Sequence, residues 1–157
     1  VAVREACFGD VPRLAELMAE MCDRSRYVGR VNVVPERAKR TCMTAIKGHG
    51  KATCLFVGVR DGKVESFIIG MADWLFGIGD KLAITDTYFY ASKRAWKRDT
   101  VRLAQAYQGW AKTVPSVIDV RLTALDSLGP WDRNERLYRR LGFSQEGVIY
   151  RKDIDDV

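Results

Sequence analysis

The run "LAITDTYFYASKRAWKRD", residues 82–99, sets the course of the chain. Its first part, LAITDTYFYA at 82–91, has the β-branched and aromatic content of a buried strand. From Thr100 the apolar period becomes helical, with Leu103, Tyr107, Trp110, Ala111 and Val114 on one face. Between the two lies SKRAWKRD at 92–99, which carries four cationic side chains and no glycine. A strand that runs into a helix N-terminus is a common seat for phosphate, because free N–H groups and the helix dipole point the same way. The chemistry of that turn therefore bears directly on function.

The 157 residues, 47% of them hydrophobic, fit one globular domain over 1–157 with a sizeable core. A formal net charge of +6 favours acidic partners such as nucleotide phosphates, nucleic acid or an acidic protein surface. The basic residues are spread along the chain rather than gathered in a tail, so most of them read as solvated surface. The four cysteines, Cys7, Cys22, Cys42 and Cys54, form no C-x-x-C pair, and three lie within apolar patterns. They read as reduced residues of an intracellular protein. His49 is the only histidine, so no His-based zinc site is expected. No apolar run approaches membrane-spanning length and no signal-peptide pattern opens the chain, which predicts a soluble, cytoplasmic protein without a membrane partner.

Outward from the central run, the chain opens with a strand at 1–6 and a helix capped by Asp10, with Pro12 in its first turn and Leu14, Leu17, Met18 and Met21 at helical spacing. An irregular stretch at 23–33 holds Arg24, Arg26 and Arg30 around Tyr27, and reads either as the lip of a binding site or as a surface loop. A second helix starts near Pro35, with Ala38, Cys42, Ala45 and Ile46 as its apolar stripe, and GHG at 48–50 ends it. His49 thus reads as a loop residue beside a helix C-cap rather than a catalytic base. Asp61-Gly62 between ATCLFVGVR and KVESFIIGMADW calls for a two-residue hairpin of central strands, apolar on both faces. Gly77 and Gly79 precede a strand rather than a helix, which argues against a phosphate loop there. After Pro115 a strand at 117–124 is expected, with Ile118, Val120, Leu122 and Ala124 facing inward. A loop with Gly129, Pro130 and Trp131, a short helix at 133–141 ended by Gly142, and a last strand at 145–152 complete the chain.

This order, together with three local motifs, resembles the GNAT superfamily of acetyl-CoA-dependent N-acetyltransferases over almost the whole chain. "VREACFGDVPRLAELMAEM" is similar to that family's first strand and helix. "LYRRLGFSQEGVIYRKDI", from Leu137 to Ile154, is similar to its Leu-Tyr-x-x-Leu-Gly-Phe helix end and following strand, and "TDTYFYASKR" to the strand entering its cofactor loop. The resemblance implies an α/β fold: a mixed, mostly antiparallel twisted sheet of about six or seven strands flanked by about four helices. It also implies acetyl-CoA as cofactor and an amine acceptor.

The family loop carries glycines where this chain has Lys97 and Asp99, in the alignment Arg94, Ala95, Trp96, Lys97, Arg98, Asp99. Glycine lets backbone N–H groups approach a pyrophosphate, and a Cβ crowds that approach. Asp99 at a helix N-terminus is expected to cap the free N–H groups itself and repel phosphate, with Lys97, Arg98 and Arg102 offsetting the repulsion. In the last helix, Trp131 stands where the family often has asparagine, and Asn134 where a small residue is usual. By resemblance, the cofactor contacts are Phe89, Arg94, Ala95, Lys97, Arg98, Asp99 and Asn134. Backbone groups near Phe89 hold the oxyanion, Tyr138 is the acid, and Asp86 the base with Asp73 second. Tyr138 and Asp86 also have plain readings, as a core tyrosine and a strand-edge carboxylate. Three functions follow: an N-acetyltransferase with an atypical loop, a GNAT-fold binding or structural module that docks on a protein partner in an assembly such as a phage particle, and, with least in its favour, a nucleic-acid binder using Arg94, Lys97 and Arg98 beside Trp96. Exposed strand edges also allow a homodimer.

Overall fold

The computed structural model describes residues 2–125, 129–130 and 132–157. In chain order the elements are β1 (Val3–Glu5), α1 (Val11–Asp23), α2 (Pro35–Lys47), β2 (Thr53–Arg60), β3 (Lys63–Trp74), β4 (Leu82–Ala91), α3 (Lys97–Ala111), β5 (Val117–Arg121) and α4 (Asp132–Arg140). The five strands form one sheet in the order β1-β2-β3-β4-β5, antiparallel throughout except for the parallel pair β4–β5. The hairpin at Asp61-Gly62 forms as expected, with both residues at positive φ (51° and 74°), the requirement of a tight turn matched to strand twist. β3 is buried continuously from Val64 to Gly70, because helices cover both faces of the sheet centre.

Two apolar clusters hold the layers. On one face Leu14, Leu17 and Met18 of α1 and Ala38, Cys42 and Ala45 of α2 pack on Leu55, Val57, Phe67 and Ile69. On the other, Leu103, Tyr107, Trp110 and Ala111 of α3 pack on Cys54, Ile68 and Ile84. Truncating a fully buried leucine such as Leu14 or Leu103 to alanine is expected to cost about 3 kcal/mol. All four cysteines are free. Burial pushes the Cys42 and Cys54 thiols up to about 11 and about 12, which keeps both protonated.

The structure departs from the sequence reading in four places. The expected six or seven strands are five among the described residues, because 145–152 forms no ladder. That segment is held by ion pairs near its ends, Arg121 to Glu146 (3.1 Å) and Arg30 to Asp153 (2.6 Å). Its Val148, Ile149 and Tyr150 stay exposed, the first two across a cleft of about 1020 Å³ from β5. The strand expected at 117–124 stops at Arg121. Its Ile118 is 57% exposed instead of inward, because the β4 partners step from Val117 to Asp119 and leave Ile118 as a bulged residue. Asp10 does not cap α1 with its side chain; its carboxylate instead takes the Arg4 guanidinium (2.8 and 2.9 Å) and the Cys7 N–H (2.9 Å), which hold its pKa at about 2.

Candidate active site

The site grows from a parting of strands. Among the described residues β4 and β5 pair only between Leu82–Val117 and Thr85–Arg121, after which β4 runs on to Ala91 with β3 alone beside it. At the parting, β4 itself is irregular: Ile69 faces Tyr88 and Gly70 faces Asp86, so Thr87 is an extra residue and the strand bends there. Asp86 is the first β4 residue beyond the last β4–β5 pair. It is buried, and Thr123 just beyond β5 donates to its Oδ1 from both N–H (2.8 Å) and Oγ (2.7 Å). Its Oδ2 has no hydrogen-bond partner among the described residues. Burial pushes the Asp86 carboxyl up to about 6, with the Thr123 hydrogen bonds pulling the other way.

Tyr138 closes the other side. Its hydroxyl donates to the Thr123 carbonyl (2.9 Å), so a single residue bridges the two titratable groups. The α4 end that presents Tyr138 is fixed locally: the N–H of Phe143 returns to the Tyr138 carbonyl (3.0 Å) and Gly142 takes φ 89°, a conformation that favours glycine. Burial, and then the negative charge of Asp86, raise the Tyr138 phenol well above its usual range, so it stays protonated. Tyr107 of α3, also raised by burial and by Asp86, donates to the Arg121 carbonyl (2.8 Å) and ties α3 to the end of β5. A buried base near neutrality and a protonated phenol joined through one threonine form an acid–base arrangement.

The turn at 92–96 leads to the N-terminus of α3. Trp96 occupies the N-cap position without a side-chain cap, and the N–H groups of Trp96, Lys97 and Arg98 donate to nothing among the described residues. Asp99, expected to fill this position, does not. Its side chain is turned inward and only 1% exposed, with Oδ1 lacking a hydrogen bond and Arg102 3.9 Å away. Asp99 can sit there because β2 has Gly58 beneath it, where a Cβ would approach the Asp99 Cβ to 3.3 Å. The helix end is therefore open to an anion, with Arg94, Lys97 and Arg98 exposed around it. The Arg98 guanidinium lies 4.0 Å over the Trp96 ring, and Arg60 reaches it at 5.7 Å.

Of the residues singled out by sequence, the structure brings Asp86 and Tyr138 together through Thr123, and places Arg94, Ala95, Lys97, Arg98 and Asp99 along the turn and helix start. Phe89 lies on β4 past the parting, its side chain against the α3-side core. Asp73 is exposed at the far end of β3, opposite Ala83, and is not with Asp86. Asn134 is exposed on the first turn of α4, and Trp131 lies outside the described residues. Sequence reasoning missed Thr123, Arg60, Glu65 and Ser92. Glu65 alone carried a signal, as a charged residue within an otherwise apolar strand.

Comparison with protein-family models and with curated proteins finds no match. Among solved structures, an integron cassette protein from the mobile metagenome of Cole Harbour Salt Marsh aligns with TM-score 0.72 and 16% identity, over 97% of this chain and 89% of that one. Glucosamine-6-phosphate N-acetyltransferase from Arabidopsis thaliana aligns with TM-score 0.70 and 15% identity over 98% and 97%. Ribosomal-protein-alanine N-acetyltransferase from Brucella melitensis biovar Abortus 2308 gives 0.66 and 16% over 98% and 100%. The strand parting, the helix that follows β4 and these full-length superpositions converge on one architecture: the chain has the fold of the GNAT acetyltransferase superfamily.

Proposed function

We propose that this protein transfers an acetyl group from acetyl-CoA to a primary amine by direct attack. The observation that carries the reading is the Asp86–Thr123–Tyr138 cluster at the point where β4 and β5 part. The α3 N-terminus fits the cofactor's pyrophosphate, since its first N–H groups have no partner among the described residues, Asp99 is turned away, and Arg94, Lys97 and Arg98 stand in for the missing glycines. When bound, acetyl-CoA supplies an acyl thioester, an electrophile that an unprotonated amine attacks.

The chain's own groups serve that attack. Asp86, ionised above about pH 6, takes a proton from the incoming ammonium at Oδ2, the oxygen that Thr123 does not hold. The β4 backbone beyond the parting, near Phe89, has no strand on its β5 side among the described residues, so its N–H groups on that side are available to an oxyanion. Tyr138, protonated, gives its hydroxyl proton to the leaving thiolate, and Thr123 keeps the phenol and the carboxylate in register. Calorimetric titration with acetyl-CoA at moderate salt tests the reading, followed by an amine screen with Asp86→Asn and Tyr138→Phe. Micromolar binding and acetylation lost in both variants are expected. Absence of binding by the parent protein overturns it.

A further inference from the structure

Glu65 is a carboxylate near the start of the buried run of β3, only 2% exposed, and no step above uses it. Three side chains from two elements converge on it. From α1, Arg13 Nη2 donates to its Oε2 (3.0 Å), while Arg13 Nε donates to the neighbouring Val64 carbonyl (3.0 Å). From the turn after β4, the Ser92 hydroxyl donates to the same oxygen (2.6 Å), and the Ser92 N–H donates to the Glu65 carbonyl (2.8 Å). From the same turn, Arg94 Nε lies 3.8 Å from Oε1, with an Arg94 side chain that is 72% exposed.

The hydroxyl of Ser92 links this carboxylate to the turn. It donates a hydrogen bond to Glu65 and accepts one from the Arg94 N–H (3.1 Å), while the Ser92 carbonyl accepts from the Ala95 N–H (3.2 Å). Arg60 of β2 then donates to the Arg94 carbonyl. The turn that delivers Trp96 and the open end of α3 is thus fastened at Ser92 and Arg94, without glycine. Its fastening leads back to one buried charge. The two arginines are held unequally. Arg13 makes hydrogen bonds, whereas Arg94 is beyond hydrogen-bond reach and mostly in water. Arg94 is free to leave for an anion without stranding Glu65, because Arg13 and Ser92 remain on the carboxylate.

We propose that Glu65 is a positioning residue for the anion site: through Ser92 it sets the 92–96 turn, and it parks Arg94 beside the α3 N-terminus ready to engage a phosphate. The inference rests on the acetyl-CoA reading for its ligand, but the turn geometry is independent of that ligand.

The test uses Glu65→Gln, Ser92→Ala, Arg94→Gln and the Glu65→Gln/Arg94→Gln pair in the full chain, with amide hydrogen exchange and acetyl-CoA titration. Glu65→Gln and Ser92→Ala are expected to raise exchange at Arg94 and Ala95 about tenfold, while core amides in α1 and β3 stay protected. Acetyl-CoA binding is expected to weaken about tenfold in Glu65→Gln, with KM raised and kcat kept. The double variant is expected to lose less than the product of the single losses. Unchanged exchange at Arg94 in Glu65→Gln overturns the proposal, as do equal losses across all core amides, or multiplicative losses in the pair. If the parent protein does not bind acetyl-CoA, the acetyl-transfer reading falls alone, and exchange at Arg94 still decides the role of Glu65.

Discussion

Thr123 holds Asp86 with two donors on one oxygen, 2.8 Å from the main-chain N–H and 2.7 Å from the hydroxyl. Both bonds favour the charged carboxylate and oppose the effect of burial. Replacing Thr123 with valine removes one of them while keeping the shape. The Asp86 pKa is then expected to rise from about 6 by roughly one unit. NMR titration of the carboxyl in the two proteins reads the shift directly. In the acetyl transfer proposed above, the acidic limb of the kcat/KM profile is expected to move upward with it.

The same carboxylate makes stability depend on pH. Its folded pKa is raised above the ordinary carboxylate value, so the folded state keeps a proton that the unfolded chain has released. Its contribution is fully present below the unfolded pKa of about 4 and is lost as pH rises through about 6. Urea unfolding of the parent and Asp86→Asn proteins, at pH 4 and pH 7.5, is expected to show a difference of on the order of 2–3 kcal/mol in how stability changes over that range. An identical pH dependence in the two proteins would contradict the burial of this charge.

Asp99→Ala separates a buried carboxylate from a helix cap. A capping aspartate contributes about 1 kcal/mol, and its loss is felt at once. Asp99 makes no cap bond, and its buried Oδ1 has no hydrogen bond and only a long ion pair to the half-exposed Arg102 (3.9 Å), so its replacement by alanine is expected to hold or raise the urea midpoint. On the acetyl-transfer reading, affinity for acetyl-CoA should change little, because the carboxylate already faces away from the open end of α3.

Gly70 marks where α3 comes down on the sheet. A Cβ there would lie 2.4 and 2.9 Å from two carbons of the Tyr107 ring and 3.0 Å from the Cys54 sulfur. Gly70→Ala is expected to cost about 1–3 kcal/mol through overpacking. It should also displace Tyr107 from the Arg121 carbonyl, loosening β5 beside the Asp86 site. A thermal scan together with the Asp86 titration tests both effects.

The fold was legible wherever local chemistry had one answer. Asp61-Gly62 permits a tight hairpin, Pro35 opens α2, and Gly142 ends the α4 region, all without help from distant residues. Tyr138 could be named because the Leu-Tyr-x-x-Leu-Gly-Phe motif carries it, and Asp86 as a carboxylate on the central strand, but the group that joins them could not. Thr123 contributes through a main-chain N–H, a main-chain carbonyl and one hydroxyl, and nothing in its neighbours VRLTAL distinguishes it from any strand-end threonine. The inward-facing set on β5 went wrong at Ile118, since a bulge shifts side-chain parity and depends on the partner strand. The segment at 145–152 has strand composition, but a strand also needs a neighbour's free edge within reach. Asp99 was misplaced because a helix-start aspartate normally turns outward; the space beneath it comes from Gly58, forty-one positions earlier in the chain.

The Trp96 indole carries a guanidinium 4.0 Å above its ring, and that guanidinium belongs to a residue facing the open helix end. An arriving polyphosphate would draw Arg98 toward itself and change the electric field across the ring. Trp96 is thus an optical reporter supplied by the native sequence. The difference in emission between the parent protein and Trp96→Phe, followed during rapid mixing, would time the occupation of the site without any attached dye.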